Sequence, residues 1–169
     1  FTLAAYYLLR AQNQGIGFPA GYEYQPETGE WTDDDSLGRQ LMGVITLVRA
    51  LDVTGRDEFE VGARHGIRAH MEDIDVLEDG GWKRTSMGGT VLLTIAMTED
   101  ARLTGAVDWN AAIDGFGAYV LSQIDSEGRM AEGASRLQAQ QAHKALWNLW
   151  SHTGDAAYLC RLYPSDAAD

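Results

Sequence analysis

Cysteine, basic charge and long apolar runs are all scarce in this sequence, and each scarcity removes a class of protein. Cys160 stands alone, so no internal disulfide can form, and with no second cysteine or His pattern beside it no zinc box can be built. A small buried or partly buried side chain is the expectation there. Thirteen Lys and Arg residues face twenty-five Asp and Glu, a net charge of −12 that repels a nucleic-acid backbone and an anionic membrane surface alike. Neither nucleic acid nor a membrane is an expected partner. Apolar stretches such as residues 91–96 fall far short of the roughly 20 residues that span a bilayer, and no charged segment followed by an apolar one opens the chain, so a soluble protein is expected. No motif for a cofactor or a metal stands out. Strand patterning is nearly absent as well: residues 44–48 and 91–95 are the only temptations, and both lie inside helical periods. Phe1 is not a methionine and residues 1–9 already read as mid-helix, so further residues are expected upstream, and the compartment stays open.

What the sequence does hold is a 45% hydrophobic content, enough for a buried core, and a repeat. Gly29-Glu30-Trp31, Gly80-Gly81-Trp82 and Gly128-Arg129-Met130 mark the same place in three successive units. A long helical stretch follows each marker and ends in Thr54-Gly55, Thr104-Gly105 and Thr153-Gly154. Two independent markers therefore share a period of about 50 residues, the signature of a helical array. The helices between them are predicted over Asp35–Val53, Ser86–Leu103 and Ser135–His152. In the first, Leu37, Leu41, Val44, Ile45, Val48 and Leu51 line one face at three- and four-residue spacing. Residues 33–36 and 85–86 are cap types, and the glycines at 55, 105 and 154 suit left-handed C-caps. A second, shorter helix follows each Thr-Gly, over Asp57–Asp73, Trp109–Gln123 and Asp155–Leu162, with Thr2–Gln12 in the same slot ahead of the first marker. The prediction is one all-α domain over 1–169, with about three αα-hairpin repeats (1–55, 56–105, 106–154) and an incomplete tail, 155–169. A hairpin cannot bury its apolar face alone, so open ends call for a longer chain or a homo-oligomer. The irregular stretch Asn13–Thr32, rich in glycine and in aromatics, is too long for a plain linker and reads as functional.

The repeat resembles those of α/α-toroid proteins: six-hairpin glycosidases, uronyl hydrolases, α/α-barrel pectate lyases, uronyl epimerases and terpenoid cyclases. Thr153-Gly154-Asp155-Ala156-Ala157-Tyr158-Leu159 looks like the Thr-Gly-Asp-x-x-Tyr-Leu turn of the carbohydrate-active members. Residues 118–123 followed by Gly128-Arg129-Met130 are similar to the Gln-and-Trp repeat of the cyclases, with Met in place of Trp. The resemblance implies a partial toroid with its site in a central cavity, at the end where the inner helices begin. If the helices that follow the glycine markers are the inner ones, that end carries Trp31, Asp33, Asp34, Asp35, Trp82, Lys83, Arg84, Glu132 and Arg136.

Asp33, Asp34 and Asp35 have two readings. Crowded carboxylates raise one another's pKa, as an acid catalyst requires, whereas a helix N-terminus favours the same residues as caps. Glu132 is a further acid–base candidate, and His143, among Gln138, Gln140 and Gln141, is a candidate for proton transfer. Tyr22, Tyr24, Trp31 and Trp82 offer flat surfaces for a sugar ring, although the register of the two tryptophans also suits structural pins. Lys83 and Arg84 could fix a substrate carboxylate, the arginine by a bidentate fork, while two exposed basic residues near a turn remain the plain alternative; Arg136 is a further substrate-binding candidate. His65, His70 and His152 are expected at the surface, and Trp147 and Trp150 in the core stripe. The leading expectation is a carbohydrate-active hydrolase, lyase or epimerase acting on an oligo- or polysaccharide. The rivals are a non-catalytic helical-repeat binding module and a terpenoid cyclase-like protein; Thr32 stands where a cyclase Asp-x-Asp-Asp motif would start.

Overall fold

The computed structural model describes residues 2–12, 21–25, 27–34, 37–72, 74–84, 86–130 and 134–163, with 21–25 and 30–34 described through their backbone. The described helices are α1 (Thr2–Ala11), α2 (Leu37–Thr54), α3 (Asp57–His70), α4 (Met87–Thr104), α5 (Asn110–Ser122), α6 (Arg136–Thr153) and α7 (Ala156–Leu162). The all-α hairpin-repeat class is the observed one, with α2–α3, α4–α5 and α6–α7 as successive hairpins. Predicted helix limits agree closely with these, the widest miss being the end of α3, expected at Asp73 and found at His70. Two compact units divide the chain, Phe1–Glu72 and Asp73–Asp169.

The Thr-Gly marker has a local cause. Gly55, Gly105 and Gly154 sit at φ 62°, 71° and 73°, a region that L side chains avoid, and each donates its N–H to the carbonyl four residues back. The preceding threonine hydroxyl donates to its own i−4 carbonyl in all three repeats. At Thr104 and Thr153 the same oxygen accepts the N–H two residues ahead, which turns the chain into the next helix. Asp155 then caps α7 through the N–H of Ala157, and buried Tyr158 packs its hydroxyl end over Gly117 of α5. The Thr-Gly-Asp-x-x-Tyr-Leu pattern is thus a complete helix-stop, turn and helix-start device.

One expectation is corrected. Strands were not foreseen, yet each glycine marker is the turn of a β-hairpin. Strands β1 (Gly21–Gln25) and β2 (Glu30–Asp34) pair antiparallel, as do β3 (Ile74–Val76) and β4 (Trp82–Arg84). In the third repeat the pairing among the described residues is a bridge between Ile124 and Met130. The marker glycines Gly29, Gly80 and Gly128 lie at φ 71°, 84° and 75°. In the last two repeats the turn closes identically: Gly80 N–H to Leu77 C=O and Leu77 N–H to Gly81 C=O, then Gly128 to Asp125 and Asp125 to Arg129.

Asp125 reinforces its turn by accepting the N–H groups of Glu127 and Arg129, both at 2.9 Å. The N–H of Arg129 is the main reason its carboxyl is held below the ordinary carboxylate value. A depressed folded pKa stabilises the turn fully above the ordinary unfolded value, and that contribution disappears as pH falls through the lower folded one. Acid titration followed on the amide resonances of Glu127 and Arg129 is expected to report this loss, and Asp125→Asn to remove the titration while keeping an acceptor.

In the first unit, Phe59, Ala63 and Ile67 of α3 pack on Leu41, Val44, Ile45 and Val48 of α2, all essentially inaccessible. Helix α1 lies on both, with the Tyr6 ring 4.9 Å from that of Phe59 and Gln12 donating to the carbonyl of Gly62, 50 residues on. In the second unit α4 is buried nearly all round, as expected for a helix enclosed by protein. It packs on α5 and α6. A Cβ on Gly88 of α4 would lie 3.7 Å from Gln138 of α6, and Asn148 of α6 donates to Thr98 of α4 at 3.1 Å. Both pairs are 50 residues apart, so α4 and α6 run parallel and in repeat register. Buried Thr90, Thr94 and Thr98 face no unmet polar cost, since each hydroxyl donates to the carbonyl four residues back. Asp100, fully buried, accepts the indole N–H of Trp109 at 2.7 Å and so ties the end of α4 to the start of α5.

Smaller corrections follow from burial. His70 is 3% exposed rather than at the surface, and Cys160 is exposed rather than buried. Trp147, expected in the core stripe, is 43% exposed.

Candidate functional site

The hairpins place the residues that stand just ahead of each long helix. In the first unit the ladder sets Tyr22 opposite Asp33 and Tyr24 opposite Trp31. Directly paired residues of an antiparallel ribbon share a face, and so do alternate residues along one strand. By register, Tyr22, Tyr24, Trp31 and Asp33 therefore hold positions on one face of the ribbon. Gly21, Glu23, Gln25, Glu30, Thr32 and Asp34 occupy the other. The register thereby splits the acidic triplet: Asp33 shares the face of Tyr22, Tyr24 and Trp31, Asp34 holds a position on the other, and Asp35 lies outside the described residues. Glu132 lies outside them too.

In the second unit the corresponding hairpin faces its own helices. The Trp82 ring sits against α5, edge-on to Phe116 at 6.2 Å between centroids, and Gly115 leaves the space for it. A Cβ at position 115 would lie within 2.8 Å of three Trp82 ring atoms. This is the placement of a structural pin. Arg84, one residue pair further along the same strand face, is 8% exposed and not the surface residue of the plain reading. Its backbone N–H donates to Thr90 Oγ1 at 2.9 Å, so the end of β4 is fastened to the first turn of α4. That turn is capped by Ser86, whose hydroxyl accepts from Gly89.

Arg136 opens α6, exposed, directly after Ser135, which forms a capping box with Gln138. His143 is half-buried, with Nε2 3.0 Å from the carbonyl of Gly128. A carbonyl can only accept, so Nε2 carries a proton, and in the neutral ring Nδ1 is left as the acceptor. His143 thus fastens the third hairpin turn to α6.

The structure also shows a cleft that the sequence reading missed. It lies between the C-terminal halves of α4 and α6, has a volume of about 330 Å³, and is lined by Thr98, Glu99, Arg102, Lys144, Trp147, Asn148, Ser151 and His152. Its one signal in the sequence is the run of polar residues, Asn148, Ser151 and His152, late in a helix that is otherwise apolar on its packed side. Among the described residues, no group of three His, Cys, Asp or Glu is placed to hold a metal ion, and no helix is long and apolar enough to cross a membrane.

No protein-family model and no curated protein matches the sequence. A crystal structure of a D-mannose isomerase is similar, with a TM-score of 0.65 and 16% identity over 95% of this chain. The chain spans 46% of the length of that protein. At this identity the likeness shows the fold, coarsely toroid-like, and nothing of the chemistry.

Proposed function

We propose that this chain belongs to a carbohydrate-active protein of toroid type that works by carboxylate acid–base chemistry, with the sugar lying on the aromatic face of the first hairpin. The observation that carries the reading is the ribbon register, which puts Tyr22, Tyr24, Trp31 and Asp33 on one face. An amphipathic ring surface suits the half-apolar faces of a sugar, and a carboxylate beside it can take or give a proton.

Within the range of hydrolase, lyase and epimerase, proton transfer at a sugar carbon is favoured over cleavage. The structural neighbour, a D-mannose isomerase, points that way and makes D-mannose the first sugar to try. In the second unit Arg84 and Arg136 remain candidates for holding substrate, and Glu132 and His143 for acid–base work.

A panel of aldoses, ketoses and uronic-acid oligosaccharides, incubated with the protein in D₂O, tests this directly. Deuterium entering a carbon next to the carbonyl of a monosaccharide is the expected result. Cleaved oligosaccharide with no exchange would point to glycoside chemistry, and no change in any sugar would remove the enzymatic reading.

A further inference from the structure

The cleft between α4 and α6 is remote from the β3–β4 hairpin of its own unit. Thr98 lies twelve residues beyond the Ser86 cap of α4, a rise of about 18 Å along the helix. Its volume, about 330 Å³, is at the small end of ligand sites and fits one sugar-sized ring better than a chain of them.

Its lining is of mixed character. One wall is the indole of Trp147, 43% exposed and propped by Trp150 at 4.9 Å between centroids. The other groups supply donors and acceptors side by side. Lys144 Nζ stands 3.3 Å from Glu99 Oε1; Asn148 gives one N–H to Thr98, which leaves an amide oxygen and a second N–H; Ser151 and His152 stand beside them. The Lys144–Glu99 pair cancels its own charge, and Arg102 sits in the last turn of α4, where a cation offsets the negative end of the helix dipole. With the charge of Arg102 partly offset by the helix dipole, the lining holds only a small positive excess, and Lys144, Asn148 and Ser151 offer groups that bond to hydroxyls.

We infer that this cleft binds one neutral pyranose ring, with its C–H face stacked on Trp147 and its hydroxyls held by Lys144, Glu99 and Asn148. This inference does not rest on the reading of the first hairpin. It would take a free monosaccharide or the end residue of a glycan.

The test is calorimetry with D-mannose, D-glucose, glucuronate and glucose 6-phosphate on the whole chain and on Trp147→Leu and Lys144→Met, each checked for its fold by circular dichroism. Lys144 is 45% exposed, so its variant keeps the test valid if loss of the indole disturbs α6. At least one neutral sugar is expected to bind with a millimolar Kd and to lose roughly tenfold in affinity in each variant, with the two anions binding no more tightly. No neutral sugar bound at about 50 mM, tighter binding of the anions, or affinities unmoved in both variants would each overturn the inference. Tyr24→Leu separates the two sites. If it abolishes all sugar binding while the cleft variants leave binding intact, the cleft inference fails and the hairpin reading stands; the opposite pattern leaves the cleft alone.

Discussion

Asp33→Asn is expected to lower sugar turnover by about 10²–10⁴-fold, while Asp34→Asn stays close to the wild type, because general acid–base groups contribute on that scale. The two residues are neighbours in sequence and have the same chemistry. They differ in ladder position: Asp33 pairs with Tyr22 and shares the aromatic face, whereas Asp34 pairs with Gly21 on the other face. A purely electrostatic role for the acidic triplet, favouring the start of α2, would make both variants alike and leave activity intact, with a loss of about 1 kcal/mol at most in stability. The assay is deuterium exchange under saturating sugar, read together with thermal unfolding. Equal activity losses in the two variants would mean that the ribbon register does not select the catalytic carboxylate.

The second large effect concerns stability. Trp82→Ala is expected to cost about 3 kcal/mol, in the range for deleting a large packed aromatic. The ring fills a slot shaped by Gly115 and meets Phe116 edge-on, so its loss leaves a cavity between β4 and α5. Gly115→Ala should also destabilise, which runs against helix propensity. Alanine gains about 1 kcal/mol over glycine inside a helix, yet its Cβ would collide with the indole, and overpacking of that kind costs about 1–3 kcal/mol. Combining Gly115→Ala with Trp82→Leu should recover part of the loss, since the smaller side chain makes room. Chemical denaturation of Gly115→Ala, Trp82→Leu and their combination checks this. Additive losses in the double variant would show that the two residues do not share the slot.

The helices could be read from the sequence because their signals are local. Ser86 and Ser135 cap α4 and α6, Gly105 and Gly154 end them in the left-handed region, and the four-residue threonine spacing in α4 lies within a single helix. The hairpins could not be read in the same way. Their strands are three to five residues long, and Gly-Tyr-Glu-Tyr-Gln and Glu-Trp-Thr-Asp-Asp look like loop composition until their register is known. The glycine markers were recognised as a repeat, but their role as hairpin turns depends on cross-strand bonds that no single strand encodes. For the same reason Asp33 and Asp34 were indistinguishable in the sequence.

Burial of single residues was the least legible feature. Arg84 on β4 and His70 on α3 are buried and Trp147 on α6 is 43% exposed, and periodicity along one element does not say which neighbour covers which side. The cleft between α4 and α6 belongs to the same class. Glu99 and Lys144 stand 45 residues apart in the chain, so the pair exists only once the two helices are set parallel.

The most direct measurement is a titration of the isotopically labelled chain with D-mannose, following backbone amide and side-chain resonances. The account predicts that Tyr22, Tyr24, Trp31 and Asp33 shift together along one saturation curve while Glu23 and Thr32, on the opposite face of the ribbon, move little. Shifts spread evenly over both faces, or none anywhere in residues 21–34, would contradict it.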